Sequence, residues 1–374
     1  MRRRLRIALA TTTAALALCS SLGVEGGSAT ARARAQNVDH KCSDNVDVDG
    51  FSDSLDGTLF RKRYVGNLSG LAVDHDGSIA AVSDRSLLFG LKVTSQNGNP
   101  NAEPIGVADL GDEQGYPSLD SEALAIDQDK TRLVTSEIEP SIRFYSAESA
   151  RKPVGKLPMP QWLLVKPAGR APDRNLTLEG LTLQPGGKTL IASMEGPLEG
   201  DGKDTAGHTL VRLQSWQREQ NQTAKDFKIA KQYGYPVDKN PDNDKDLGIS
   251  EIAAVDKDRL LVLERGHDRD KGNTARLYLA DLSQASDVSN VEKLPGSAQL
   301  VKKTLLADLV KCPDLDAPAK QPQHNKLLDN IEGMAVTSAT GGTLKLLLVS
   351  DDNANVAQIT RLYALTAKLP NSGS

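Results

Sequence analysis

Five segments of this chain repeat one pattern, and that repetition limits the fold more than any other feature. They are LSGLAVDHDGSIAAVSDRS from Leu68, DSEALAIDQDKTRLVTSEIE from Asp120, LEGLTLQPGGKTLIASMEG from Leu178, ISEIAAVDKDRLLVLERGH from Ile249 and IEGMAVTSATGGTLKLLLVSDDN from Ile331. Each opens with Ser or Glu ahead of alternating apolar residues, turns through Asp, Gly or Lys, and closes an apolar strand on Asp or Glu. Apolar runs of this kind, bounded by turn residues, are hairpin signals. A third strand follows each hairpin: SLLFGL, SIRFY, TLVRL, ARLYLA and TRLYAL. A fourth, more variable strand can be drawn before the next repeat, as in AEPIGVADL and LVKKTLLADLV.

Four antiparallel strands per unit, with strands such as RLLVLE and LKLLLVS apolar on both faces, predict an all-β propeller. The repeats start at Ser69, Glu122, Glu179, Glu251 and Glu332, spaced 53, 57, 72 and 81 residues apart. That is too long for a parallel β-helix. Five four-stranded blades are visible, and the longer gaps leave room for a sixth. The last repeat has only three strands, so an N-terminal segment is expected to supply the outer one. GTLFRKRYVG, Gly57 to Gly66, is the candidate, with the basic run FRKRY on that outer strand.

The chain divides into an export signal over 1–35, an N-terminal segment with the closing strand over 36–66, and the propeller over 67–374. Arg2, Arg3, Arg4 and Arg6 precede an Ala-rich apolar run and small residues at Ala29, Ala31, Ala33 and Ala35, the layout of a cleaved signal peptide. An uncleaved anchor and a lipidated Cys19 are the other two readings. No other segment is long and apolar enough to span a bilayer. Cleavage removes six basic residues and one acid, so the net charge moves from −4 to −9. An acidic, secreted domain is a poor partner for nucleic acid or anionic membranes and a good holder of cations. Cys42 and Cys312 remain after cleavage. An oxidising compartment favours a disulfide between them over two free thiols, and closure between neighbouring blades would bring them together.

In an antiparallel hairpin the start of the first strand lies beside the end of the second. Glu179 is therefore expected near Glu195, Glu122 near Glu137, Glu251 near Glu264, and Glu332 near Asp351 and Asp352, with Ser69 near Asp84 in the first repeat. Blades all point one way, so these acids would gather at one mouth of the central channel. Carboxylates crowded there repel unless something positive sits among them, and Ca²⁺ suits an all-oxygen set. The structural alternative is that the acids accept backbone N–H groups or pair with Arg85, Arg143, Arg174 and Arg265. Arg174 and Arg265 are also candidates for binding a substrate phosphate.

Other chemistry is thinly represented. ERGHDRD lacks the Arg-His-Gly order of a histidine phosphatase, and no Gly-x-Ser-x-Gly turn is present. His40, His75, His208, His267 and His324 are too scattered for a local zinc signature. DNDKDLG, Asp242 to Gly248, alternates Asp like a calcium loop but has Leu247 where Gly is required. A lactonase-like metal propeller would rest on Asp352 and Asn353 alone.

The hairpins GISEIAAVDKDRLLVLERG and NIEGMAV…LLLVSDDN resemble the phytase-like family, described as the esterase-like activity of phytase, over Asn67 to Leu365. The resemblance implies a secreted propeller that hydrolyses phosphate or carboxyl esters. It carries over to Glu122, Glu179, Glu251, Glu332, Asp351 and Asp352, while Ser69 departs from the acidic pattern. Combined with the hairpin reading, Glu179, Glu195, Glu251 and Glu332 are the expected ligands or general bases. Glu122, Glu179, Glu332, Asp351 and Asp352 are the expected Ca²⁺ ligands. The expected partner is a small phosphorylated or ester substrate on a monomer. The alternative is a non-catalytic exported propeller that binds a glycan, an envelope component or a protein.

Overall fold

The computed structural model describes residues 40–147 and 149–370; the expected signal segment lies outside them. Five four-stranded antiparallel sheets and one two-stranded hairpin make up the described residues. Blade 1 runs Leu68–Val73, Ile79–Ser83, Leu87–Gln96 and Asn99–Asp109. Blade 2 is Leu124–Ile126, Arg132–Ser136, Ser141–Tyr145 and Gly155–Lys156. Blade 3 is Leu178–Leu183, Thr189–Met194, Thr209–Gln217 and Lys228–Val237, and blade 4 is Gly248–Ala254, Arg259–Asp268, Gly272–Asp281 and Lys302–Asp308. Blade 5 takes Ile331–Thr340, Thr343–Ser350 and Leu362–Lys368 from the end of the chain. The stretches between blades form no further sheet, so the propeller has five blades and not six.

The ring closes differently from expectation. The outer strand of blade 5 is Val46–Ser52, paired antiparallel from Val46 with Ala367 to Ser52 with Leu362. Gly57–Gly66 instead folds back on itself, Leu59–Phe60 pairing with Arg63–Tyr64 through Arg61 and Lys62, both at positive φ. FRKRY is thus a surface hairpin and not a blade strand. The closing strand alternates buried and half-buried residues, the pattern of a strand with one face on a core. Cys42, just ahead of it, is bonded to Cys312, just beyond the outer strand of blade 4. The disulfide expected from the sequence therefore ties blade 5 to blade 4.

The core follows from the strand chemistry. Middle strands such as Ile79–Ser83 are buried along their whole length because adjacent blades cover both faces. Val73, Ile126, Leu183, Ala254 and Val336, one from each blade, line a small cavity of about 200 Å³ at the far end of the innermost strands. Thr182 is the one polar side chain among the residues lining it. No helix among the described residues is long and apolar enough to cross a membrane.

Candidate functional site

At the head of the innermost strand the pairing register slips in four blades. The slips fall between Leu68 and Gly70, Leu178 and Leu181, Ile249 and Glu251, and Ile331 and Gly333. A bulge of this kind re-aims the extra residue out of the pleat. It places Ser69, Glu179, Ser250 and Glu332 at equivalent positions. Glu122 holds the matching place ahead of the short first strand of blade 2. A second set follows the middle strands. Asp84, Glu137, Glu195 and Asp351 each donate a backbone N–H to a carbonyl that leads into the same blade's first strand: Asn67, Asp120, Thr177 and Asn330 respectively. Blade 4 breaks this second set, because Arg265, paired with Gly248, stands where the others carry a carboxylate.

Two expected members fall one residue off these positions. Glu251 occupies the place of Gly70, Ala123, Gly180 and Gly333, where the strand closely approaches its neighbour. Its carboxylate accepts the N–H of Leu181 at 3.1 Å and of Ile252 at 2.9 Å. Glu264 accepts the Tyr235 hydroxyl at 2.7 Å, the Asp238 N–H at 2.9 Å and Lys303 Nζ at 2.5 Å. The hairpin register sets Glu264 against Ile249 and Glu251 against Leu263, so the two acids do not form the expected pair.

The remaining acids converge. One oxygen each of Asp120, Glu122 and Glu137 lie within 4.8 Å of one another, and so do those of Glu137, Glu179 and Glu195. Glu122 and Glu179 are 7 % and 4 % exposed, and neither has a hydrogen bond or an ion pair among the described residues. Ser69, 1 % exposed, also leaves its hydroxyl without a partner. Glu137 accepts the Thr177 N–H at 3.0 Å. Glu332 Oε1 accepts Asn330 Nδ2 at 2.8 Å and pairs with Arg265 Nη2 at 2.8 Å, and the same guanidinium nitrogen lies 3.6 Å from Glu195 Oε1. Asp351 accepts the Asn353 N–H at 2.7 Å. Asp352 turns away to the Asn67 N–H at 2.8 Å and the Tyr64 hydroxyl, fastening the surface hairpin instead of joining the cluster. Arg174 is exposed on the turn before blade 3.

The electrostatics follow from this crowding. Burial, then the charges of Glu332 and Glu137, hold the Glu122 carboxyl well above its usual range. Burial and then Glu195 and Glu122 do the same to Glu179. Burial, with Glu195 next, pushes Glu137 up to about 8. Burial raises Asp84 to about 6 and lifts Asp351 well above its usual range, Glu332 adding to the latter. Burial also raises Glu195, and Arg265 opposes it. Burial disfavours the Arg265 charge, but Glu332, Glu195 and Glu179 outweigh it and raise the guanidinium's pKa. Glu251 is different: burial raises it, no neighbouring carboxylate contributes, and the N–H groups of Ile252, Leu181 and Met334 oppose the rise.

An all-carboxylate set with unpartnered buried members suits a hard cation. Oxygens bound to Ca²⁺ at 2.3–2.6 Å stand up to about 5 Å apart across the ion, the span found here. The Asp242–Gly248 loop is not such a place. Asp242 is taken by Lys271 at 3.1 Å and His324 at 3.0 Å, and Asp246 by the Thr209 hydroxyl at 2.6 Å. Arg143 is likewise committed, to Glu113 and Glu139. Asp120 is absent from the sequence-derived ligand set, and the hairpin reading places Glu137 beside Glu122 without counting it as a ligand. Asp120 lies two residues before Glu122 and its carbonyl pairs with the Glu137 N–H, which is the signal that finds both.

A family model described as "Phytase-like: Esterase-like activity of phytase" matches residues 63–354. No curated protein matches the chain. Among solved structures, U3-55K is similar at 11 % identity, covering 87 % of this chain and 98 % of that one, with a TM-score of 0.37. The PQQ-bound aldose sugar dehydrogenase of Streptomyces coelicolor is similar at 14 % identity, 87 % and 98 % coverage and a TM-score of 0.37. A gluconolactonase of Xanthomonas campestris is similar at 10 % identity, 80 % and 72 % coverage and a TM-score of 0.36. None of these likenesses bears on what the chain does.

Proposed function

The chain belongs to the phytase-like family, and from that premise we propose that its acidic channel mouth binds Ca²⁺ and hydrolyses phosphate or carboxyl esters. The observation that carries this reading is the pair Glu122 and Glu179, buried carboxylates that make no hydrogen bond or ion pair among the described residues, with only the more distant charge of Arg265 acting on Glu179. Leaving such groups unpaired in a low-dielectric site is costly, so a bound cation or a retained proton must compensate them. Asp120, Glu122 and Glu137 would hold the ion. Held there, Ca²⁺ would supply a positive charge to a substrate oxygen and acidity to a coordinated water. Glu179, whose carboxyl burial and then Glu195 hold well above its usual range, is the member suited to give a proton to the leaving oxygen. Glu195, whose rise Arg265 opposes, is the better placed to accept one.

Phosphate release from phytate or p-nitrophenyl phosphate, and hydrolysis of p-nitrophenyl acetate, measured with and without Ca²⁺, test the reading. Activity is expected with Ca²⁺ and is expected to fall at least about a hundredfold in Glu179→Gln, the scale of losing a general acid. Activity that survives both EDTA and that substitution overturns it.

A second reading has its own observation. Arg265 is engaged by Glu332 and Glu195 and Arg174 is exposed on a turn, so neither is preset around a phosphate. A cation-loaded propeller that binds a glycan, an envelope component or a protein without turnover accommodates this. Ca²⁺ binding with no hydrolysis of any of these esters would favour it. In either case we read the protein as an exported monomer that takes no nucleic acid, and the Cys42–Cys312 disulfide suits an oxidising compartment.

A further inference from the structure

We infer that Arg265 is a built-in cation that fills the blade 4–blade 5 side of the acidic mouth, leaving one Ca²⁺ site at Asp120, Glu122 and Glu137. The inference rests on the cation reading above and assigns where the ion sits and what excludes a second one.

The first support is position. After the middle strand, four blades present Asp84, Glu137, Glu195 and Asp351, and only blade 4 presents a positive charge. The second is occupancy. Glu332 and Glu195, the two acids that Arg265 reaches at 2.8 and 3.6 Å, have their counter-charge inside the protein. Among the described residues Glu122, 7 % exposed, has neither ion pair nor hydrogen bond, and Glu179, 4 % exposed, has only the more distant charge of Arg265 acting on it.

The two carboxylate triads are therefore unequal although they share Glu137. Glu137, Glu179 and Glu195 could hold an ion only with Arg265 a few ångströms from one of its ligands, and like charges at that range repel by several kcal/mol at an effective dielectric near 20. Asp120, Glu122 and Glu137 have no ion pair with a guanidinium among the described residues; Arg85 acts on Asp120 only from a distance, being exposed and paired with Asp84 at 3.4 Å. A guanidinium suits the task because it does not release its proton at any pH the fold survives. Packing holds the arrangement in register. A Cβ on Gly248, the pairing partner of Arg265, would stand 2.8 Å from Glu195 Cγ, so a side chain there would crowd the Glu195 side chain.

Calorimetric titration of Ca²⁺ into the EDTA-stripped protein decides the matter, with melting curves of each variant recorded with and without the ion. The wild type is expected to bind one equivalent. Arg265→Gln is expected to bind a second equivalent and to hold the first at least about tenfold more tightly, while Arg265→Lys, which keeps the charge, stays at one. A wild type that binds two ions, or an Arg265→Gln protein with unchanged stoichiometry and affinity, overturns the role of Arg265 and leaves the cation reading standing. No Ca²⁺ binding by any variant overturns both. If Arg265→Gln folds only when Ca²⁺ is present, the ion has replaced the guanidinium and the inference holds. If it does not fold even in saturating Ca²⁺, the guanidinium has a role that no ion replaces, and the inference is lost.

Discussion

At the scale of single residues, buried carboxylates meet three different fates within one face of the molecule. Glu264 is compensated by Tyr235, Lys303 and a backbone N–H, Glu251 by backbone N–H groups alone, and Glu122 and Glu179 by no hydrogen bond or ion pair among the described residues. Glu264→Gln should therefore destabilise the fold by about 1–3 kcal/mol, because Lys303 loses its charge-assisted bond to Glu264 and keeps only Asp238, 2.8 Å away. Ca²⁺ affinity should be unchanged; urea unfolding and calorimetry check both. The cluster acids give the opposite signature in pH. Glu137 is raised to about 8 and Asp84 to about 6, so the folded state keeps protons that the unfolded chain releases from about pH 4.5 upward. Their stabilising contribution is present below the unfolded values and is lost as pH rises through the folded ones. In EDTA the melting temperature should fall between about pH 5 and pH 8, and Ca²⁺ should flatten that fall. A melting temperature that is level or rising across this window without metal would contradict the assigned burial of these groups.

At the scale of the blade, the bulge is the device that matters. A strand of period 2 would send residues equivalent to Glu179 and Glu332 into one face of their own sheet, and the extra residue turns them toward the mouth instead. In blades 1, 3 and 5 the position after the bulge is glycine, because the next blade is close, whereas blade 4 carries Glu251 there. A Cβ at Gly180 would meet the backbone N of Ile252 at 2.6 Å and the carbonyl carbon of Glu251 at 3.0 Å. Backbone on an adjoining blade cannot step aside, so Gly180→Ala should cost about 1–3 kcal/mol and loosen the blade 3–blade 4 contact. Chemical denaturation measures the cost, and a variant as stable as the wild type would show that the blades are less tightly packed than this geometry requires.

At the scale of the whole molecule, stability rests on joining the two ends of the described chain. Val46–Ser52 completes blade 5, and the Cys42–Cys312 bond spans 270 residues of sequence. Buried Arg361 reinforces the junction, pairing with Asp53 and donating to the carbonyls of Pro318, Lys326 and Leu327. Closing so long a loop stabilises by about 5 kcal/mol in the chain-entropy model. Cys42→Ser should lower the melting temperature by several degrees or more, and reductant should then have no further effect. Equal melting of oxidised wild type and variant would place the strength of the closure elsewhere.

The propeller, its third strands, the outer strands of blades 1 and 4, the cysteine pairing and the gathering of acids at one mouth were all legible in the sequence. Each is fixed by local apolar patterning repeated five times, or by the consequence of repeating it around a ring. What the sequence could not decide depends on register and on contacts between distant segments. The closing strand was expected at Gly57–Gly66, but the tight turn at Arg61 and Lys62 folds that stretch onto itself, and Val46–Ser52 pairs instead. A one-residue offset in blade 4 takes Glu251 and Glu264 out of the mouth and puts Arg265 into it, a difference that composition cannot register but that a strand's twofold alternation makes absolute. Asp352 reads as a ligand until the Asn67 N–H and the Tyr64 hydroxyl claim it. Patterning alone thus determined the architecture and the charge of the site. Which carboxylates remain without a partner was settled only by the packing of blade against blade.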